Sequence, residues 1–113
     1  MHTTVIINRT PFKVVLADEN IEKLNPGNDV QYLGLTEYTP WPTITFRKGM
    51  CPANMRNTVI HELVHAYVFA CGHSVNCEED MCQFIGAQID NIMETAEQIL
   101  AYLDRTEHSS ERE

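Results

Sequence analysis

A chain of 113 residues can build one hydrophobic core but not two, so a single domain spanning residues 1–113 is predicted. Hydrophobic residues make up 43% and charged residues 21%, as in soluble globular proteins, and the formal net charge of −8 opposes binding to nucleic acid or anionic lipid. The sequence has no export signal and no apolar run of the roughly 20 residues that cross a bilayer, so a cytoplasmic protein without membrane contact is predicted.

The N-terminal half has the pattern of short strands separated by turns. Runs rich in β-branched residues at 5–7 and 12–16 flank a turn-like cluster at 8–11, which predicts a hairpin. A helical turn is expected around 21–24. Two further strands are predicted at 31–38 and 43–47.

Two helices are predicted for the C-terminal half, where glycine and proline become rare. Apolar residues recur at intervals of three and four over 53–71, and Gly72 is suited to close this first helix. The second helix is expected from about Asn76 to Leu103, followed by a flexible acidic tail over 104–113. Its predicted apolar stripe consists of Met81, Cys82, Ile85, Ile89, Ile92 and Met93. The fold class predicted is α+β, a small antiparallel or mixed sheet packed on two helices.

The first helix carries the segment His61-Glu62-Leu63-Val64-His65. Histidines four residues apart project from one helix face, so the two imidazoles can bind one zinc ion per chain, with Glu62 as the general base beside it. This pattern predicts metal-assisted peptide hydrolysis. Extension of the motif in the metzincin manner is excluded, because Val68 and Cys71 stand where that subclass needs glycine and histidine.

A catalytic zinc usually has three protein ligands, so one more donor is needed. Glu78 is preferred because it is in phase with the predicted stripe of the second helix, and a buried carboxylate needs a partner such as a metal ion. Glu79 is the alternative. His73, just beyond the end of the first helix, is less favoured.

Two stretches, 57–66 and 78–84, resemble the ImmA/IrrE-type metallopeptidases, especially their small phage and prophage members. The stretch 34–38, Gly-Leu-Thr-Glu-Tyr, is similar to a segment of that family. The resemblance implies a minimal zincin-like fold and a gluzincin-like endopeptidase with Glu78 as third ligand. Its substrate would be a specific protein, such as a regulator in a phage or mobile element.

The resemblance also implies a strand edge that binds protein or peptide substrate. The strand at 43–47 is predicted to be that edge, with Ile44, Thr45 and Phe46 pairing with an extended chain through backbone hydrogen bonds.

Two other functions fit the same residues. One is a catalytically silent, zincin-like module that binds a protein partner. The other is a structural zinc domain, in which Cys71, Cys77 or His73 fills the remaining coordination position.

Overall fold

A four-stranded sheet followed by two helices makes up the fold. The computed structural model describes residues 2–17, 22–25, 27, 32–72 and 78–111, without the side chains of Glu22, Glu78 and 107–111. The strands are β1 (His2–Ile7), β2 (Thr10–Ala17), β3 (Gly34–Glu37) and β4 (Thr43–Arg47), the helices are α1 (Pro52–Ala70) and α2 (Glu78–Glu111), and a 3₁₀ turn spans Glu22–Leu24. The predicted α+β class is confirmed.

The sheet is mixed, with strand order β1-β2-β4-β3. The predicted hairpin is confirmed: β1 and β2 pair antiparallel across Asn8 and Arg9, which have φ of 47° and 67°. Positive φ at both central residues is typical of a tight hairpin turn whose twist matches that of the strands. Strand β4 runs parallel to β2 and antiparallel to β3.

The prediction that the strand at 43–47 is a sheet edge is wrong. Strand β4 lies between β2 and β3, so its backbone groups are used on both sides. Ile44, Thr45 and Phe46 are each 0% exposed, which leaves none of them accessible to a substrate. The next position, Arg47, is also buried, and it donates hydrogen bonds to the carbonyl oxygens of Leu24 and Tyr32. Among the described strands, β3 lies at this edge of the sheet.

The predicted bounds of helix α1, 53–71, differ from the observed bounds, Pro52–Ala70, by one residue at each end. The helix begins at Pro52, where proline's missing N–H costs nothing, and Gly72 with φ of 62° follows the C-cap residue Cys71. One face is buried in the core by Val59, Leu63 and Tyr67. The opposite face is open to solvent.

Helix α2 differs from its prediction in length and in phase. It continues to Glu111 instead of giving way to a tail at 104, and the Thr106 hydroxyl donates to the carbonyl of Tyr102 one turn earlier. Cys82 and Ile89, expected in the apolar stripe, are exposed. The buried residues are Phe84, Ile92, Thr95, Ala96, Ile99, Tyr102 and Leu103. The predicted start at Asn76 lies outside the described residues.

Helix α2 packs along α1, where the Tyr67 hydroxyl lies 2.7 Å from the Thr95 hydroxyl and donates to the Asn91 carbonyl oxygen at 3.1 Å. Within the described residues, no helix is both long and apolar enough to cross a membrane.

Candidate functional site

His61 and His65 stand next to each other on the solvent side of α1. Their ring centroids are 5.0 Å apart, with the rings inclined at 75°. The His61 side chain is 68% exposed and His65 is also exposed, whereas Leu63 between them is fully buried. The buried face therefore fixes the rotation of α1 and presents both imidazoles to one region of solvent, where they can share an ion.

Glu62 lies on the side of α1 that faces β3 and is largely buried, with 9% of its side chain exposed. Its Oε1 accepts a hydrogen bond of 2.7 Å from the Thr36 hydroxyl, and its Oε2 lies 3.7 Å from Nε2 of His61. A buried carboxylate is costly unless it is hydrogen-bonded, and Thr36 supplies that partner. One oxygen is thus anchored to the sheet and the other lies beside His61.

Strand β3 approaches α1 closely at Gly34. A Cβ atom at this position would lie 2.8 Å from Cγ2 of Thr58 and 3.0 Å from Cγ of Glu62, nearer than packed carbon atoms tolerate. The absence of a side chain at Gly34 lets Thr36, two residues along the same strand, reach Glu62.

Tyr38, two residues further, continues this row. Its hydroxyl donates to the carbonyl oxygen of His65 at 3.4 Å, and its ring stacks on Phe69 with centroids 4.2 Å apart. Burial raises the pKa of the Tyr38 hydroxyl, and the Glu62 carboxylate raises this pKa further. The hydroxyl therefore keeps its proton at neutral pH and remains a hydrogen-bond donor beside the site.

The contacts of Thr36 and Tyr38 with α1 were missed by reasoning from the sequence. The available signal was the period of two in the stretch 34–38, because alternate residues of a strand share a face. What the stretch could not show is which helix that face meets.

The proposed third ligand stays a prediction. Glu78 is the first residue of α2, but its side chain lies outside the described residues, as does the whole of His73. Glu79 is exposed. Among the side chains that the structure describes, no group of three or more His, Cys, Asp and Glu could hold a metal ion.

Two further observations bear on the ligand hypotheses. Cys82 and Ile89 are exposed but Ile92 of the same predicted stripe is buried, so the stripe used to prefer Glu78 is buried only in part. Cys71 lines a polar cavity with Tyr67 and Asn91, on the face of α1 that meets α2, whereas the histidines lie on the solvent face. Cys77 lies outside the described residues.

The motif opens onto a groove of about 360 Å³ between α1 and β3. Polar groups of α1 and apolar residues at and before the start of β3 line this groove. The lining residues are Tyr32, Leu33, Gly34, Asn57, Thr58, His61 and Glu62. A groove that contains both the acid and a histidine can bring a bound chain to the reactive groups.

In comparisons with known proteins, no family model matches the chain, and no curated protein or solved structure is significantly similar to it. What the protein does must therefore be inferred from its own residues and their geometry.

Thr36→Val is expected to lower the free energy of unfolding by about 1–3 kcal/mol, because the buried Glu62 carboxylate loses its 2.7 Å hydrogen bond without a change in side-chain volume. Urea unfolding measures this. The matched control is Thr43→Val, since the Thr43 hydroxyl donates to the Trp41 carbonyl oxygen in an exposed hydrogen bond. Equal losses in the two variants would contradict the anchoring role of Thr36.

Proposed function

We propose that this protein is a zinc-dependent metalloendopeptidase that hydrolyses peptide bonds in a specific protein substrate. The observation that supports it best is the placement of Glu62: a buried carboxylate tied to the sheet by Thr36, next to two exposed imidazoles on the same helix.

Two imidazoles and one carboxylate are a donor set that catalytic zinc sites use. His61 and His65 would hold the ion, with a carboxylate as third ligand, for which Glu78 is proposed and Glu79 and then His73 are the alternatives. When bound in such a site, zinc lowers the pKa of water and polarises a peptide carbonyl. One zinc ion per chain is expected.

Glu62 acts as the general base and then as the general acid. Oε1 is held by Thr36, so the carboxylate keeps one orientation, with Oε2 on the histidine side. There it takes a proton from the attacking water and passes it to the leaving amine. Because the carboxylate is already positioned before substrate arrives, little reorganisation is needed in the transition state.

Substrate is proposed to bind in extended form along β3 instead of β4. Strand β3 ends the sheet, so the backbone groups on its outer side have no neighbouring strand in the described part of the chain. An unpaired edge accepts an added strand through main-chain hydrogen bonds. Gly34 and Thr36 on this strand contact Glu62, which places the added strand next to the reactive groups.

The likeness of 57–66 and 78–84 to ImmA/IrrE-type metallopeptidases supports a cytoplasmic regulator of a phage or mobile element as the substrate.

The test begins with metal content. Wild-type protein purified without chelators is expected to contain one zinc ion per chain by elemental mass spectrometry, and to cleave members of a library of quenched-fluorescent decapeptides. His61→Ala and His65→Ala are expected to lose zinc affinity by at least about a hundredfold, because each removes one of few ligands. His2→Ala, at an exposed position on β1, is the matched control and keeps its zinc.

Zinc binding that survives both histidine substitutions would overturn the proposed site. Stoichiometric zinc without cleavage of any peptide in the library would overturn the enzyme assignment and favour a protein-binding module with the same fold.

A further inference from the structure

Exposed apolar side chains lie at both ends of the seam between α1 and β3. At one end, Tyr32 and Leu33 are 43% and 42% exposed and line the groove together with Thr58. At the other end, Phe69 is 46% exposed and stacks on Tyr38. These are three of the six large hydrophobic residues that are exposed in the described part of the chain, and they bracket the histidine pair.

The spacing of the two ends matches a short extended peptide. Thr58, level with the first end, and Phe69 at the second are about 17 Å apart along α1 at 1.5 Å per residue. His61 and His65 lie midway between them. An extended chain covers this distance in about five residues, so each apolar end meets a side chain two or three residues from the bond at the centre.

Both ends are fixed in place before any ligand binds. The Arg47 side chain donates from Nε to the Tyr32 carbonyl at 3.0 Å, and the Arg47 backbone N–H donates to the Leu33 carbonyl at 2.9 Å. Phe69 is held by Tyr38 and by the edge of Phe12, whose ring centroid is 6.3 Å away. Contact surfaces that are already ordered lose little entropy on binding.

The surface between the two ends is polar, with His61 and His65 exposed along α1. A membrane or a flat hydrophobic protein face needs a continuous apolar patch, which this seam lacks. Two separate apolar contacts on either side of a polar centre fit a single extended chain with apolar side chains at two spaced positions.

We infer that the substrates of this site are extended segments with a large apolar side chain two or three residues from the cleaved bond on each side, one contacting Tyr32 and Leu33 and the other contacting Phe69. The inference rests on the proposed peptidase function, and it names Leu33 and Phe69 as specificity-determining residues.

The test measures binding and cleavage separately. Fluorescein-labelled decapeptides of Ala and Ser carry leucine at two positions five residues apart, at either position alone, or at neither. Their affinity for the zinc-loaded Glu62→Gln variant is measured by fluorescence anisotropy. Replacing either leucine by serine is expected to weaken binding by about tenfold, because one buried leucine side chain no longer contributes. The wild-type protein is expected to cleave the peptide that carries both leucines most rapidly.

Protein variants assign each contact. In the Glu62→Gln background, Leu33→Ser is expected to remove the dependence on one leucine and Phe69→Ser the dependence on the other, with circular dichroism to check folding. Ile6→Ser and Ile89→Ser are the matched controls, since both side chains are exposed on β1 and α2, away from the seam. They leave both dependences unchanged.

Affinities that do not depend on leucine, peptides that do not bind, or equal effects of control and seam variants would overturn the inference. Leucine-dependent binding with no cleavage by the wild-type protein would instead overturn the proposed function and leave the two contacts established. Cleavage that does not depend on leucine would support the proposed function and overturn the inference about the two contacts.

Discussion

Glu62→Gln is expected to abolish peptide cleavage and leave zinc bound. Glutamine has nearly the same shape as glutamate, and its side-chain oxygen can still accept the hydrogen bond that Thr36 gives to Oε1 at 2.7 Å. The amide cannot take a proton from water. A positioned general base contributes about 10²- to 10⁴-fold, so kcat on the best peptide should fall at least about a hundredfold. Zinc content and kcat are measured on the same sample.

The matched control is Glu97→Gln. Glu97 on α2 forms an exposed ion pair of 3.1 Å with Arg56 on α1, and the substitution removes its carboxylate. The kcat and zinc content of this variant should equal those of the wild type, because a surface pair of this kind is worth little. Cleavage that persists in Glu62→Gln would show that the base is another group. Loss of zinc in Glu62→Gln would mean that Glu62 supports the metal site instead of acting on water.

Helix α1 was predictable because its signals are local. The repeat of Val59, Leu63 and Tyr67 at helical spacing fixes both the helix and its buried face. Once that face is known, the exposure of His61 and His65 follows from the 3.6-residue period alone. The hairpin of β1 and β2 was also predictable, since the turn residues and both strands lie within one short segment.

The order of the strands was not predictable from the same kind of signal. The alternation of Ile44 and Phe46 with Thr43 and Thr45 indicates a strand with one wet face, yet Thr45 is fully buried. Arg47 of the same strand is also buried. Its guanidinium donates to the carbonyl oxygen of Leu24 and, at 2.8 Å, to Oδ1 of Asn25, and both residues are distant from Arg47 in the sequence. Which strand becomes the edge depends on such long-range pairing, which a local pattern does not contain.

The phase of α2 was only partly predictable because the helix packs on two different surfaces. Its N-terminal part carries a buried Phe84 and an exposed Ile89, while later turns are buried against α1 around Thr95. Helix α2 contacts β1 and β2 as well as α1. A single apolar stripe describes a helix with one partner, so the predicted stripe from Met81 to Met93 gave the wrong exposure for Cys82 and Ile89.

Gly34→Ala is expected to lower the free energy of unfolding by about 1–3 kcal/mol and to slow cleavage, because the new Cβ overpacks the contact between β3 and α1. It would lie 2.8 Å from Cγ2 of Thr58 and 3.0 Å from Cγ of Glu62, so relief of the clash moves the carboxylate away from Thr36. Urea unfolding and kcat on the best decapeptide measure the two effects.

A second substitution tests this cause. Thr58→Ser removes the methyl group that Cβ would meet and keeps the hydroxyl, so the double variant should recover part of the stability and part of the cleavage lost in Gly34→Ala. The control is Gly86→Ala on the exposed side of α2, where a Cβ meets nothing within 4 Å and alanine's higher helix propensity should stabilise the protein by up to about 1 kcal/mol. A Gly34→Ala variant as stable and active as the wild type would show that β3 and α1 can separate without cost. The close approach at Gly34 would then have no part in holding Glu62 in position for catalysis.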